Sequence, residues 1–221
     1  DWFLSDQLAF LNHGAFGAVP RRVFAAQEKW RRELETQPVM FLNQVLDQEL
    51  RKVAGRLCKF VGAKPSQLVL TCNTTEAISG VAHSIIQSPS DEVLLTDQTH
   101  EGVANIFSHL CGRVGAPVSR VTLPWPVGSS AEIINAFEPY LTRNVRIVVL
   151  DHVSSKQSVV MPLKALVRAC RRHGILVIVD GAHAPGMLDL EVSTIGADWY
   201  IGNCHKWLLA PKGAAFIVAK P

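Results

Sequence analysis

Residues 175–186 read ILVIVDGAHAPG: five apolar side chains in a row, then an aspartate, then small residues around a histidine. A strand that is apolar on both faces lies between two layers of helix, which is the pattern of a central strand in a parallel sheet. Working outward, comparable short runs recur at QLVLT (67–71), EVLLT (92–96), VSRVTL (118–123), RIVVL (146–150), DWYIG (198–202) and AAFIVA (214–219). Amphipathic segments separate them. PLKALVRACRRHG (162–174) sets Leu163, Leu166, Val167 and Cys170 on one stripe and closes on Arg171, Arg172, His173 and Gly174, a helix with a cationic last turn and a glycine stop. SSAEIINAFEPYL (129–141) opens with Ser130 as the expected N-cap. Two further helices are expected at about 20–36 and 46–61. Alternating strands and helices define an α/β fold with a mostly parallel sheet flanked by helices. Residues 1–45 read as an N-terminal segment and helix, and 46–221 as the large domain.

Composition narrows the partners. The 221 residues are 48% hydrophobic and 19% charged, enough for a substantial core. The net charge of +3 is spread among interspersed signs, so neither nucleic acid nor an anionic membrane is indicated. The run WRRELE (30–35) alternates in sign and reads as a solvated helix face. No apolar run reaches the roughly 18 residues of a membrane span, and the first residues do not read as a signal peptide. Five cysteines without CxxC spacing argue against a disulfide framework or a zinc site, so no metal is expected and the reading is cytoplasmic. The ends, DWFL and FIVAKP, do not read as natural termini.

In sheets of this kind ligands sit beyond the carboxyl ends of the strands. Five strands are followed there by CNTTEA (72–77), DQTHEG (97–102), DHVSSKQ (151–157), DGAHAPG (180–186) and NCHKW (203–207). Asp180 ends an apolar run, where an acid needs a cationic partner. Lys206 follows the next strand, in an otherwise small and apolar segment. A carboxylate to face a ring nitrogen and a lysine to form a Schiff base are the two groups a pyridoxal 5'-phosphate (PLP) site requires. Thr74 and Thr75, where a helix opens, suit the coenzyme's phosphate; the same residues also read as a capping box with threonine at the cap. Neither GxxxxGK[ST] nor GxGxxG follows a strand, so a nucleotide loop is not supported. His100 can stack on the ring, and His183 can reach its phenolic oxygen or a substrate group, although a single histidine also reads as structural. Cys204 reads as a small buried residue. Gly14 and Gly17, beside His13 in LNHGAFGAVP (11–20), suggest a close backbone approach.

VDGAHAPG and GNCHKWLLAPKG, with NTTEA upstream and LNHGAFGAVP at the start, resemble the class V aminotransferase superfamily of PLP enzymes, nearest its isopenicillin N epimerase-like branch, a neighbour of the cysteine desulfurases. The resemblance runs through the whole chain in consistent order. It implies that Lys206 carries the coenzyme, that Asp180 pairs with the pyridine nitrogen, that His183 bonds the phenolic oxygen and that His100 stacks. Thr75 and Thr74 hold the phosphate, aided by His205 and the position of Asn203. Asn12, His13 and Gly14 resemble a segment lining the substrate mouth, and Ser155 lies in a loop similar to the one under the substrate. Lys156 and Gln157 depart from the family pattern there. The resemblance further implies a homodimer with shared active sites and a C-terminal small domain, bearing the arginine that grips the substrate carboxylate, which this chain does not include. The implied activity is epimerase, lyase or aminotransferase chemistry on an amino acid. The alternatives are a cysteine desulfurase or C–S lyase and, from another class, a catalytically silent PLP-fold scaffold.

Overall fold

The computed structural model describes residues 1–220. The helices are α1 (Arg21–Thr36), α2 (Pro38–Met40), α3 (Leu46–Val61), α4 (Thr74–Ile85), α5 (Glu101–Val114), α6 (Ser130–Phe137), α7 (Leu163–Arg172) and α8 (Val192–Ile195). The strands are β1 (Leu68–Thr71), β2 (Glu92–Thr96), β3 (Val118–Val121), β4 (Val145–Asp151), β5 (Leu176–Asp180), β6 (Trp199–Asn203) and β7 (Ala215–Ala219). All seven runs named from the sequence are strands, in one sheet of order β1-β7-β6-β5-β4-β2-β3. Only β7 is reversed, pairing antiparallel with both β1 and β6. The other six strands therefore end on the same edge.

Helices cover both faces. Helices α4 and α5 pack on one side through Ala77, Ile78, Val103 and Phe107. Helices α3, α6 and α7 pack on the other through Leu57, Phe137, Leu166 and Val167. Side chains alternate along a strand, and this alternation decides what reaches the site. In β5, Val177 and Val179 join the α7 side and Ile178 the α4–α5 side, so Asp180 falls on the α4–α5 side. The same count from Ile147 and Val149 places Asp151 there, and from Ile201 places Asn203 there. Helix α1 buries no residue and carries the Glu28–Arg31 and Lys29–Glu33 ion pairs on its open surface, as the alternating charges predict.

Two caps differ from expectation. Ser129, not Ser130, caps α6, its hydroxyl accepting from the Glu132 N–H. Asn73, not a threonine, caps α4, accepting from the Glu76 N–H at 2.8 Å. In both cases the capping residue is extended and the next residue is already helical, so an oxygen one place earlier reaches the free amides. No helix of the described residues is long and apolar enough to cross a membrane.

The strand ends are packed tightly enough to require glycine. A β-carbon on Gly202 would lie 2.5 Å from Phe216 Cζ, and one on Gly181 2.5 Å from Tyr200 Cζ. Both rings belong to the buried core. Gly202→Ala is expected to lower stability by about 1–3 kcal/mol, read as an earlier urea midpoint; an unchanged midpoint would show that Phe216 yields without cost.

Candidate active site

The segments that follow β1, β2, β4, β5 and β6 meet at one edge of the sheet. Asp180, 5% exposed, closes β5, and its Oδ1 accepts from the Ala182 N–H at 2.9 Å. That bond turns the chain back at Gly181 and holds the carboxylate in place. Lys206, half-buried, comes from the segment after β6, and its Nζ lies 3.1 Å from His183 Nε2. On the other side of that ring, Trp207 Nε1 donates to His183 Nδ1 at 3.3 Å. The site is thus organised around a histidine held between the lysine and the indole.

Burial tunes these groups in opposite directions. It raises the Asp180 carboxyl, and the Ala182 N–H, Lys206 and His100 pull it back down. It lowers the Lys206 amine, with Asp180 opposing. It pushes His183 down to about 4, helped by the Lys206 and His100 charges. A lysine driven toward its free amine is a nucleophile or base in waiting.

The α4 N-terminus stands beside this group. Asn203 Oδ1 accepts from the Thr74 N–H at 3.0 Å, tying the end of β6 to the first turn of α4. Its side-chain oxygen is therefore engaged with the helix. Thr74 Oγ1 is buried and has no hydrogen-bond partner among the described residues. An unpartnered buried hydroxyl is costly, and this one lies at a helix N-terminus, where anions bind. Thr75 is exposed beside it, and its methyl group and the His100 ring converge on Gly102 in the first turn of α5. His205 Nδ1 lies 2.9 Å from the Ala214 carbonyl, which anchors the segment carrying the lysine. His205 is also lowered by burial.

The N-terminal segment lies over the cleft. Gly14 is buried against both His183 and Trp207: a β-carbon there would stand 3.1 Å from each ring. A β-carbon on Gly17 would collide with the His205 carbonyl at 2.2 Å. The close approach expected at these two glycines is met. His13 packs toward Trp207 at a centroid distance of 5.9 Å. Asn12 is exposed and accepts from the Ala15 N–H, so it shapes the turn. Ser155 is exposed in the β4–α7 loop, whose Lys156 donates to the Asp97 carbonyl at 2.7 Å.

Sequence reasoning assigned no role to Asp151, Trp207 or Tyr200. Asp151, 5% exposed, pairs in register with Asp180 on the next strand. It carries the same signal that singled out Asp180, an aspartate ending an apolar run. Two buried carboxyl groups side by side cannot both ionise cheaply. Burial and the Asp180 charge hold Asp151 well above the usual carboxylate range, with Lys156 opposing; Asp151 is the member of the pair that keeps the proton. On the opposite face, His152 Nδ1 and the Tyr200 hydroxyl lie 2.8 Å apart beneath Gly181. Trp207 looked like one more apolar residue, and only its position next to the lysine could have drawn notice.

A parallel sheet flanked on both faces, with a buried carboxylate and a half-buried lysine brought together at its carboxyl edge, defines a coenzyme-binding domain of the aminotransferase kind. The Aminotransferase class-V family matches residues 10–221, and the chain belongs to that family, whose enzymes use PLP. The chain is 34% identical over 218 residues to isopenicillin N epimerase of Streptomyces clavuligerus, covering 99% of this chain and 55% of that protein. It is 35% identical over 226 residues to putative L-cysteine desulfhydrase 2 of Oryza sativa subsp. japonica, covering 95% of this chain and 47% of that protein. The solved structure of the cystine C–S lyase C-DES with its product cysteine persulfide superimposes with a TM-score of 0.87 at 25% identity, over 96% of this chain and 57% of that one. The chain spans about half the length of the relatives it matches.

The carboxyl pair gives a pH signature. A group whose folded pKa is raised above its unfolded value, near 3.9 for aspartate, loses its stabilising contribution as pH rises through the folded value. An amide in place of this acid does not titrate and has no such loss. The stability of Asp151→Asn relative to wild type is therefore expected to climb from about pH 4 upward and then level off. Thermal unfolding across that range checks it; a difference that does not vary with pH would contradict the assignment of the proton.

Proposed function

We propose that this chain is the PLP-binding part of an enzyme that removes the α-proton of an amino acid, with Lys206 as both the coenzyme's attachment point and the base. The observation that carries the reading is Asp180, a buried acid held by the Ala182 N–H, acting on a lysine whose amine is lowered by burial. The residues fit the coenzyme on independent grounds. A cationic pyridine ring answers the buried Asp180 carboxylate, and a phosphate answers the orphaned Thr74 hydroxyl at the positive end of α4. Thr75 and His205 complete the phosphate side, Asn203 supports it by fixing Thr74, His100 covers the ring and His183 reaches the phenolic oxygen.

When bound, PLP withdraws electrons from the substrate's α-carbon, so that a proton there can leave. The chain's own residues do the rest. Asp180 holds the ring nitrogen protonated. Lys206, as a free amine, would take or return the α-proton. His183 orients the lysine, and Gly14, His13 and the exposed Asn12 and Ser155 border the path the substrate takes. Residues 46–221 form the coenzyme-binding unit, and residues 1–45 cover its mouth.

Proton removal is the step that an epimerase and a cysteine desulfhydrase share, and relatives with both names stand at similar identity. Return of the proton to the other face gives epimerisation, and loss of the β-thiol gives C–S cleavage. The reading includes a homodimer in the cytoplasm, as the family resemblance implies. A silent scaffold is disfavoured because the carboxylate, the amine and the unpartnered hydroxyl are all present.

Borohydride treatment with PLP is expected to fix the coenzyme on one peptide, the one containing Lys206, and to leave Lys206→Ala unlabelled. Retention of the adduct in that variant would show that another lysine is the anchor. The complete protein, given L-cysteine and other L-amino acids, is expected to release pyruvate and sulfide or to racemise one of them. Inertness toward all of them in the presence of bound coenzyme would favour the scaffold.

A further inference from the structure

Trp207, His183 and Lys206 form two consecutive hydrogen bonds, and chemistry fixes their direction. The indole Nε1 lies 3.3 Å from His183 Nδ1, and His183 Nε2 lies 3.1 Å from Lys206 Nζ. An indole N–H only donates, so Nδ1 must accept and carries no proton. A neutral imidazole has one proton, which then sits on Nε2. Burial lowers His183 to about 4, so the ring is neutral across the physiological range. The Nε2–H is therefore aimed at Lys206. An ammonium offers three donors and no acceptor, and it would meet that N–H donor to donor. The free amine has a lone pair to accept it.

We propose that Trp207, acting through His183, is a positioning residue that holds Lys206 as the free amine, the form that can attack a carbonyl carbon. The inference rests on the reading of Lys206 as the coenzyme's anchor and adds what keeps that anchor reactive. Asp180 from β5, His183 from the loop after it and His205 on its own segment interact with the lysine; His100 at the head of α5 acts on Asp180 and His183, Lys212 acts on His205, and His13 packs toward Trp207. Burial is the larger effect on the lysine and Asp180 opposes it by favouring the ammonium, so the relay adds to burial against that pull. Gly14 seats the backbone against both rings, where a β-carbon would stand 3.1 Å from each.

The test is the protonation of Lys206 itself. Site-resolved acetylation of the complete protein, purified without coenzyme, gives the pH at which this amine becomes reactive. Trp207→Phe keeps an aromatic ring and removes the donor. His183 is then free to place its proton on Nδ1 and accept from the ammonium, so the reactivity profile of Lys206 is expected to move up by about one pH unit. An unmoved profile in the folded variant would overturn the proposal. Should Trp207→Phe fail to fold, nitrogen NMR of His183 in the unaltered protein decides: a protonated Nε2 with a bare Nδ1 supports the relay, and the reverse tautomer overturns it. Borohydride fixation of the coenzyme at Lys206 is scored separately, so failure of the relay and failure of the coenzyme reading are distinguishable.

Discussion

A carboxylate sunk at the rim of a sheet constrains everything around it. Asp180 is about as buried as the apolar residues that precede it, yet it makes one hydrogen bond, to the Ala182 amide. Leaving such a charge without a cation is among the costliest arrangements a fold can hold. Lys206 and His100 both draw it toward its charged form, and both come from segments that follow other strands. With six strand ends on one edge, the sheet brings these segments together.

The neighbouring acid sharpens the same constraint. Asp151 sits across from Asp180 in register, which confines one negative charge and one proton to a pair of adjacent strand ends. Opposite them, the lysine segment is held by the His205–Ala214 contact and by backbone bonds that return Cys204 to Ala214 and Ala210 to Cys204. The charge is thus placed by strand register and the amine by a tight loop.

The seven strands were legible in the sequence because buried parallel strands leave unbroken apolar runs, and Asp180 and Lys206 were legible because they interrupt such runs. The caps were misplaced by one residue at Ser129 and at the α4 turn, since serine next to serine and asparagine next to threonine offer equivalent oxygens until the backbone chooses. Asp151 carried the same signature as Asp180, and it gained meaning only when the strand order placed β4 beside β5. Trp207 could not be read at all. Its role lies in one N–H directed at a histidine twenty-four residues earlier, and apolar composition conceals a donor of that kind.

A crystal structure of the complete protein grown with PLP tests the central claim most directly. The account predicts the pyridine nitrogen within hydrogen-bond distance of Asp180, with the phosphate at Thr74 and continuous density from the coenzyme to Lys206. A coenzyme seated elsewhere, with its ring nitrogen away from Asp180, would contradict it.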